Sequence, residues 1–314
     1  MVIVAGPTAS GKTDCALAVA REFSGTVINA DAMQLYAELA ILTNRPAQSD
    51  MAGVPNRLFG VIPAAKPCSA GRWREMALAE IEAAASAGRL PVVVGGTGLY
   101  LKALMSGLAA VPPIPAALRE EIRLLYKAVG RDGIIAELKA RDPGMGAPPR
   151  DKQRLLRAFE VLVATGRPLR TWQEKTKATG KARYRYAVVL LDPPREELYA
   201  AIDRRFDRMM ASGALEEARR LAGLGLSPEL PAMKAVGVRE LLAHLRGETD
   251  LEAAVARAKQ ASRNYAKRQV TWFRHQLPAG LTLSAQFSES LSEEIFSFIR
   301  QFLLTPGARP SSFR

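Results

Sequence analysis

The stretch Gly6-Pro7-Thr8-Ala9-Ser10-Gly11-Lys12-Thr13, residues 6–13, decides the fold of this chain. It fits the pattern G-x-x-x-x-G-K-[ST], in which glycines let backbone N–H groups surround a di- or triphosphate. Apolar residues 2–5 precede it as a strand, and a helix-forming stretch follows from Cys15, which is the context the motif requires. We therefore expect these eight residues to bind a pyrophosphate group. Lys12 would supply a mobile cation, and the Thr13 hydroxyl would be a ligand for Mg²⁺.

Other short apolar runs predict a parallel sheet around this loop. Strands are expected at 26–29, 90–94 and 186–192, and helices at 72–87, 99–104 and 251–275. Continuous β-branched runs bounded by glycine are typical of parallel strands that are covered on both faces. The predicted fold class is therefore α/β: a P-loop parallel sheet with helices on both faces and an inserted helical lobe.

The chain changes character at 111–115, where three prolines in five residues predict a rigid linker. The residues that follow are helical in pattern, highly charged and interrupted by Pro and Gly. The predicted organisation is a P-loop catalytic core over 1–112 and 186–277, an inserted helical lobe over 113–185, and a C-terminal helical tail over 278–314.

The charge balance indicates a polyanionic partner. The 314 residues carry 44 Lys and Arg against 31 Asp and Glu, a formal net charge of +13. Arg154 and Arg157 lie one helical turn apart, and Lys259, Arg263 and Lys267 recur every fourth residue with aromatic residues nearby. A basic stripe with aromatic residues suits a nucleic-acid backbone, and two such stripes on a chain of this charge favour that interpretation over a solvated helix face, which is the usual explanation of a single stripe.

Residue counts exclude several kinds of chemistry. The two cysteines have no metal or redox spacing, and the two histidines argue against a Ser-His-Asp triad or a histidine-ligated zinc site. A general base is therefore expected to be a carboxylate. The cysteine usage fits the reduced cytoplasm, where we expect the protein, and no apolar run reaches transmembrane length.

Asp31 is the carboxylate best placed for that role. It follows the second strand, and the carboxyl ends of parallel strands share one edge with the phosphate loop. Asp31 should therefore lie beside the bound pyrophosphate, although capping of the next helix would explain an aspartate there equally well. The strand 92–94 ends in Gly95-Gly96-Thr97 rather than in an acidic residue, which weakens an ATPase interpretation.

Seven segments together resemble one family, the tRNA dimethylallyltransferases. They are GPTASGKT at 6–13, NADAMQLY at 29–36, GGTGLYLKAL at 95–104, QRLLRAFEVLVATGRPL at 153–169, RRFDRMMASG at 204–213, MKAVGVREL at 233–241 and AKRQVTWFR at 266–274. Their order and spacing cover the chain to about residue 275. The set is specific, whereas the phosphate loop alone is not.

The resemblance implies a reaction and its partners. A dimethylallyl group would pass from dimethylallyl pyrophosphate to N6 of the adenosine 3′ of the anticodon, in tRNAs that read codons beginning with U. It also implies Mg²⁺ and a flipped acceptor base, and we expect a monomer. The residues it implies are Asp31, Thr97 and Arg205 in catalysis, Gly6 to Thr13 on the pyrophosphate, and Asp31, Ala32, Met33, Gln34, Thr97, Arg119, Gln153, Arg154, Leu155, Leu156 and Arg157 on the tRNA.

Two other function classes stay open at this point. A small-molecule or nucleoside kinase would share the loop and the sheet and would consume ATP, and an RNA-binding module would bind tRNA without turnover. The sequence also departs from the family pattern at Ala32, Ala37, Arg45, Asn56 and Arg57, so contacts of these residues with substrate are in question.

Overall fold

The structure is a computed structural model that describes residues 1–51, 53–174 and 184–305 in full and the backbone of 175–179. The strands are β1 (Val2–Ala5), β2 (Gly25–Asn29), β3 (Asn56–Arg57), β4 (Leu90–Gly95), β5 (Ala187–Leu191) and β6 (Leu281–Leu283). The helices are α1 (Lys12–Glu22), α2 (Gln48–Met51), α3 (Ala70–Ser86), α4 (Gly98–Ser106), α5 (Ala116–Arg141), α6 (Lys152–Thr165), α7 (Leu169–Thr179), α8 (Arg195–Ala211), α9 (Ala214–Gly223), α10 (Val238–Leu245), α11 (Leu251–Gln276) and α12 (Ser292–Leu304).

Within the described residues the strands form one sheet in the order β3-β2-β4-β1-β5-β6, and every pairing is parallel. Side chains alternate between two apolar layers, as the period of a strand requires. Val2 and Val4 face a layer that contains α1 and α12, whereas Ile3 and Ala5 face a layer that contains α3 and α4. The predicted parallel sheet with helices on both faces is confirmed.

The position of β1 explains where ligands can bind. The chain leaves β1 through α1 on one face of the sheet, and it leaves the neighbouring β4 through α4 on the other face. Such a reversal opens a crevice at the carboxyl ends of the strands, which is where ligands bind in open α/β sheets. Gly6, Asp31 and Thr97 all follow strands at this edge.

The chain divides into two compact units, Met1–Met105 with Ala182–Arg314, and Ser106–Lys181. The second unit contains α5, α6 and α7, and α5 is interrupted at Gly130, where φ is 67°. Its small core includes Ile122, Ile134 and Phe159. The lobe was predicted over 113–185, whereas the second unit begins at Ser106, and the boundary between the units at 181–182 lies outside the described part of the chain.

The segment after α11 differs from the predicted helical tail. Residues 281–283 form β6, which pairs with β5 at the edge of the sheet, before α12 packs against α1. Three residues are too few for strand periodicity to show in the sequence, and the pairing with β5 is what makes them a strand. The part of the tail after residue 305 lies outside the described residues. No described helix is both long and apolar enough to cross a bilayer.

Candidate active site

The phosphate loop joins β1 to α1 through two unusual backbone conformations. Gly11 has φ 81° and Ala9 has φ 65°, and both lie in the left-handed region. The N-cap residue of α1 is Gly11, which has no side chain to cap the helix. The N–H groups of Lys12 and Thr13 are therefore available to an anion at the positive end of the helix.

Gln286 and Phe287, which follow β6, form hydrogen bonds with backbone carbonyls of this loop. Phe287 N donates to Ser10 O at 3.1 Å, and the Gln286 amide donates to Ala9 O at 3.1 Å. A Cβ atom at Gly11 would lie 2.9 Å from Phe287 Cβ, so close packing as well as the positive φ requires glycine there. The loop carbonyls are thus tied to the C-terminal segment, which the sequence did not indicate.

Thr8 is held from two directions by helices far along the chain. Arg205 of α8 donates to Thr8 Oγ1 at 2.5 Å, and Thr8 N donates to Gln269 Oε1 of α11 at 2.9 Å. Arg205 therefore lies at the phosphate loop. Arg205 Nε and the Ser10 hydroxyl are buried and have no hydrogen-bond partner among the described residues.

Asp31 lies in a turn at the end of β2. Its backbone N–H donates to Asn29 Oδ1 at 2.8 Å, and its Oδ1 accepts from Met33 N at 2.9 Å. The next helix begins only at Gln48, so the interpretation of Asp31 as a helix cap is wrong. The single bond from Met33 fixes the carboxylate, and Oδ2 has no hydrogen bond within the described residues.

Asp31 shares its surroundings with two cations. Burial lowers the pKa of Lys12 to about 8, while the charge of Asp31 raises it and that of Arg205 lowers it further. Burial likewise lowers the pKa of Arg205 to about 10, and Asp31 again opposes the shift. The three charges therefore act on one another at the carboxyl edge of the sheet. This arrangement places a carboxylate close to the lysine of the phosphate loop.

Thr97 connects the loop after β4 to the loop that carries Asp31. Its hydroxyl accepts from Ala32 N at 2.9 Å, and the side chain of Tyr265 lies beside it. Burial, and the nearby charge of Asp31, raise the pKa of Tyr265. Tyr265 therefore stays a neutral hydrogen-bonding group at the site, and the sequence analysis had not assigned it a role.

The residues that follow Asp31 in this loop are fixed by hydrogen bonds between side chains and the backbone. The amide nitrogen of Gln34 donates to Thr43 O at 3.0 Å and to Asn44 O at 3.1 Å. Further along, the buried carboxylate of Glu217 in α9 accepts from the backbone N–H groups of residues 40, 41 and 42 at 2.7–2.8 Å. Glu217 is 3% exposed, and no motif in the sequence indicated its role.

The predicted tRNA-binding residues of the second unit differ in their exposure. Arg119, Gln153 and Arg154 are exposed, and Arg157 is partly exposed, with Glu160 at 3.5 Å. Leu155 is 0% exposed in the core of this unit, so its assignment to the tRNA surface is wrong.

The helix period explains the error at Leu155. Leu155, Phe159 and Leu162 repeat along one face of α6 and form the core of the second unit. Leu156 is only partly buried, and it packs against the same core.

The basic stripe of α11 also differs from the prediction. Lys259 pairs with Asp207 at 2.6 Å, and both oxygens of Asp203 accept from Arg263 at 2.6–2.7 Å. Both carboxylates belong to α8, so these two cations join helices instead of facing a nucleic acid. Lys267 is exposed.

Comparison with known proteins decides the family. A family model described as IPP transferase matches residues 34–276, and one described as Isopentenyl transferase matches residues 1–61. The tRNA dimethylallyltransferase of Rhodospirillum centenum is 57% identical over 89% of this chain and 90% of its own. The chain belongs to the tRNA dimethylallyltransferase family. The enzyme of that name from Paramagnetospirillum magneticum is 52% identical over 97% of both chains.

Solved structures of dimethylallyltransferases share the fold. The full-length tRNA isopentenylpyrophosphate transferase of Bacillus halodurans is 30% identical with a TM-score of 0.72, over 96% of both chains. A eukaryotic dimethylallyltransferase, solved while acting on tRNA, is 25% identical with a TM-score of 0.83 and covers 99% of this chain and 82% of its own. These relatives support the transferase interpretation over the kinase alternative.

Three of the five departures from the dimethylallyltransferase pattern take part in contacts within the protein. Arg57 forms an ion pair with Glu80 at 3.3 Å on the edge strand β3. Arg45 donates to Tyr36 O at 2.8 Å within the Asp31 loop. Ala32 contributes its backbone N–H to Thr97, a contact that does not depend on the side chain.

Proposed function

We propose that this protein transfers the dimethylallyl group of dimethylallyl pyrophosphate to N6 of the adenosine that follows the anticodon, in tRNAs reading codons that begin with U. Family membership supports the reaction class. The observation that carries the proposal is the position of Asp31, a carboxylate held by Met33 N at the edge of the sheet that carries the phosphate loop. Its charge acts on Lys12 and Arg205.

The donor would bind through its pyrophosphate. Positive charge comes from the backbone N–H groups at the start of α1 and from the side chains of Lys12 and Arg205. Arg205 Nε is a buried donor that a phosphate oxygen would satisfy. As the bond from the allylic carbon to oxygen breaks, negative charge accumulates on the leaving pyrophosphate. Fixed donors aimed at that charge lower the barrier because they need no reorganisation during the reaction.

The residues of this site suit a Mg²⁺ ion that arrives with the donor. The described residues contain no group of three or more His, Cys, Asp or Glu side chains that could enclose a metal. Mg²⁺ is commonly held by few protein ligands together with substrate phosphates, and Thr13 offers a hydroxyl in the first turn of α1. When bound there, the ion would neutralise part of the charge on the pyrophosphate.

The acceptor needs a base, because the N6 lone pair is delocalised into the purine. As N6 forms its bond to the allylic carbon, its proton would pass to the Asp31 carboxylate. The N6–C bond forms, the C–O bond breaks, and pyrophosphate leaves with the bonding electrons. The adenine must be extruded from the anticodon stack to reach Asp31, with Thr97 and the Ala32–Gln34 backbone beside it. Water must be excluded, since it would capture the allyl group.

The tRNA would be held by its phosphates. We assign this role in the second unit to Arg119, Gln153, Arg154 and Arg157, three of which are exposed and one partly exposed. The net charge of +13 favours such contacts. We further propose that the protein works as a monomer in the cytoplasm, where two free cysteines remain reduced.

A donor comparison tests this function. Purified protein is incubated with Mg²⁺ and unmodified tRNA reading a codon that begins with U, with either dimethylallyl pyrophosphate or ATP. We expect the mass of one adenosine to increase by one dimethylallyl group in the first mixture only. Phosphoryl transfer in the ATP mixture would establish the kinase alternative, and tight tRNA binding without product would establish a binding module.

A further inference from the structure

We propose that Gln269 is a positioning residue for the transfer reaction, which joins the loop that binds the leaving group to the loop beside the base. The inference rests on the proposed function. Gln269 lies in α11, is 5% exposed, and uses both ends of its amide. Its Oε1 accepts from Thr8 N at 2.9 Å, and its Nε2 donates to Gly96 O at 2.9 Å.

The two backbone groups that Gln269 joins require this side chain. One is a donor and the other an acceptor, so the bridging group must accept at one atom and donate at another, as a neutral amide does. A Cβ atom at residue 96 would lie 2.3 Å from Gln269 Nε2, so the bridge also requires glycine there. Glutamine 269 and glycine 96 therefore form one structural unit.

Each end of the bridge contacts a loop that carries residues assigned to the reaction. Thr8 lies in the phosphate loop, and its hydroxyl accepts from Arg205. Gly96 precedes Thr97, whose hydroxyl accepts from Ala32 N, next to Asp31. One amide thus fixes the separation between the pyrophosphate site and the loop of the base.

The bridge is mounted on a rigid element. Helix α11 has an N-cap at Asp250, which accepts from Ala253 N at 2.7 Å, and it is joined to α8 by the ion pair of Arg263 and Asp203. Tyr265, one turn before Gln269 on the same helix, lies beside Thr97. Because bound reactants must approach within about 3–3.5 Å in line, a small shift between the two loops would slow transfer without removing either binding site.

The first test is Gln269→Ala, with Gln260→Ala as the matched control. Gln260 is an exposed glutamine of the same helix, whose amide bonds only Arg263 and Asn264 among the described residues. We expect Gln269→Ala to lower kcat roughly 100-fold, with the KM for dimethylallyl pyrophosphate and the Kd for tRNA within about threefold of the wild type. Gln260→Ala should match the wild type in all three.

The second test is Gln269→Glu, which keeps the shape of the side chain. Its ionised carboxylate can accept from Thr8 N but repels Gly96 O, whereas the protonated carboxyl can donate to Gly96 O. Burial raises the pKa of such a carboxyl. The ratio of the kcat of Gln269→Glu to that of the wild type should therefore rise by roughly tenfold per pH unit on acidification, until the carboxyl is protonated.

The results separate this inference from the proposed function. A wild-type protein that makes no prenylated adenosine contradicts the proposed function itself. An active wild type, with Gln269→Ala at an unchanged kcat, contradicts the role of Gln269. If Gln269→Ala does not fold, a kcat ratio for Gln269→Glu that is independent of pH also contradicts that role.

Discussion

The side chain of Asp31 has a structural role and an electrostatic role, which can be separated. Its Oδ1 holds the turn by accepting from Met33 N, while its charge acts on Lys12 and Arg205. The first task needs only an acceptor oxygen, which an asparagine retains. The second needs an ionised carboxylate, so the two can be distinguished by substitution.

We predict that Asp31→Asn folds and binds tRNA but loses at least about 100-fold in single-turnover transfer, the usual scale for a general base. Asp250→Asn is the matched control, because Asp250 also accepts a backbone N–H and asparagine caps a helix equally well. Single-turnover measurement of prenylated adenosine checks the result. Transfer by Asp31→Asn near the wild-type rate would exclude Asp31 as the base.

From the lowered pKa of Lys12 we predict that kcat/KM for dimethylallyl pyrophosphate depends on pH. Its pKa in the free protein is lowered to about 8 by burial, so its charge is present below that pH and lost above it. Because the charged form attracts phosphate, kcat/KM for the donor should fall as the pH rises through about 8. Lys12→Met should lower kcat/KM and remove this fall, whereas Lys66→Met, at an exposed lysine, should keep it. An identical fall in Lys12→Met would show that another group titrates.

At the level of elements, α9 secures the loop that presents Asp31. The carboxylate of Glu217 accepts three backbone N–H groups at residues 40–42 and is 3% exposed. A buried acceptor of this kind costs stability when one of its oxygens becomes a donor, because a donor then faces a donor. The contact spans more than 170 residues, so it belongs to the tertiary structure alone.

We predict that Glu217→Gln lowers the free energy of unfolding by about 2–3 kcal/mol. The matched control is Glu216→Gln, since Glu216 is the adjacent, exposed residue of the same helix and pairs with Arg219. An exposed pair of that kind contributes about 0–1 kcal/mol. Denaturant unfolding measures both variants. Equal stability of the two variants would mean that the loop does not depend on Glu217.

Local patterns predicted the elements that are long and apolar. Strands β1, β2, β4 and β5 and helix α11 follow from their runs of residues, and the order of parallel strands then places Asp31 and Thr97 at one edge. Strands β3 and β6 contain only two and three residues, and they exist through their neighbours in the sheet.

The residues of the site also divide into those that a local pattern predicts and those that depend on contacts between distant segments. The phosphate loop is contiguous in sequence and so was predicted whole. Gln269, by contrast, meets Thr8 across 261 residues, and Gln286 meets Ala9 across 277. Leu155 was assigned to the tRNA surface because it lies within a motif, although its helical period with Phe159 indicates the core. Contacts between distant segments decide these roles.

For the whole molecule, the charge of +13 predicts a salt-dependent affinity for tRNA. Each phosphate contact releases counterions, so the logarithm of affinity falls linearly with the logarithm of salt concentration. Arg154 is exposed and has no ion pair among the described residues, so Arg154→Ala should reduce the slope by about one. Arg123→Ala, at an exposed arginine that pairs with Glu120, is the control. Equal slopes for Arg154→Ala and the wild type would remove Arg154 from the tRNA contact.

The most direct test of the central claim is the stoichiometry of a single turnover. Excess protein is mixed with Mg²⁺, dimethylallyl pyrophosphate and one unmodified tRNA, and both pyrophosphate and modified nucleoside are counted. We predict one pyrophosphate released for each dimethylallyl group found on N6 of the adenosine that follows the anticodon. Pyrophosphate released without a modified adenosine, or a dimethylallyl group at another position, would contradict the claim.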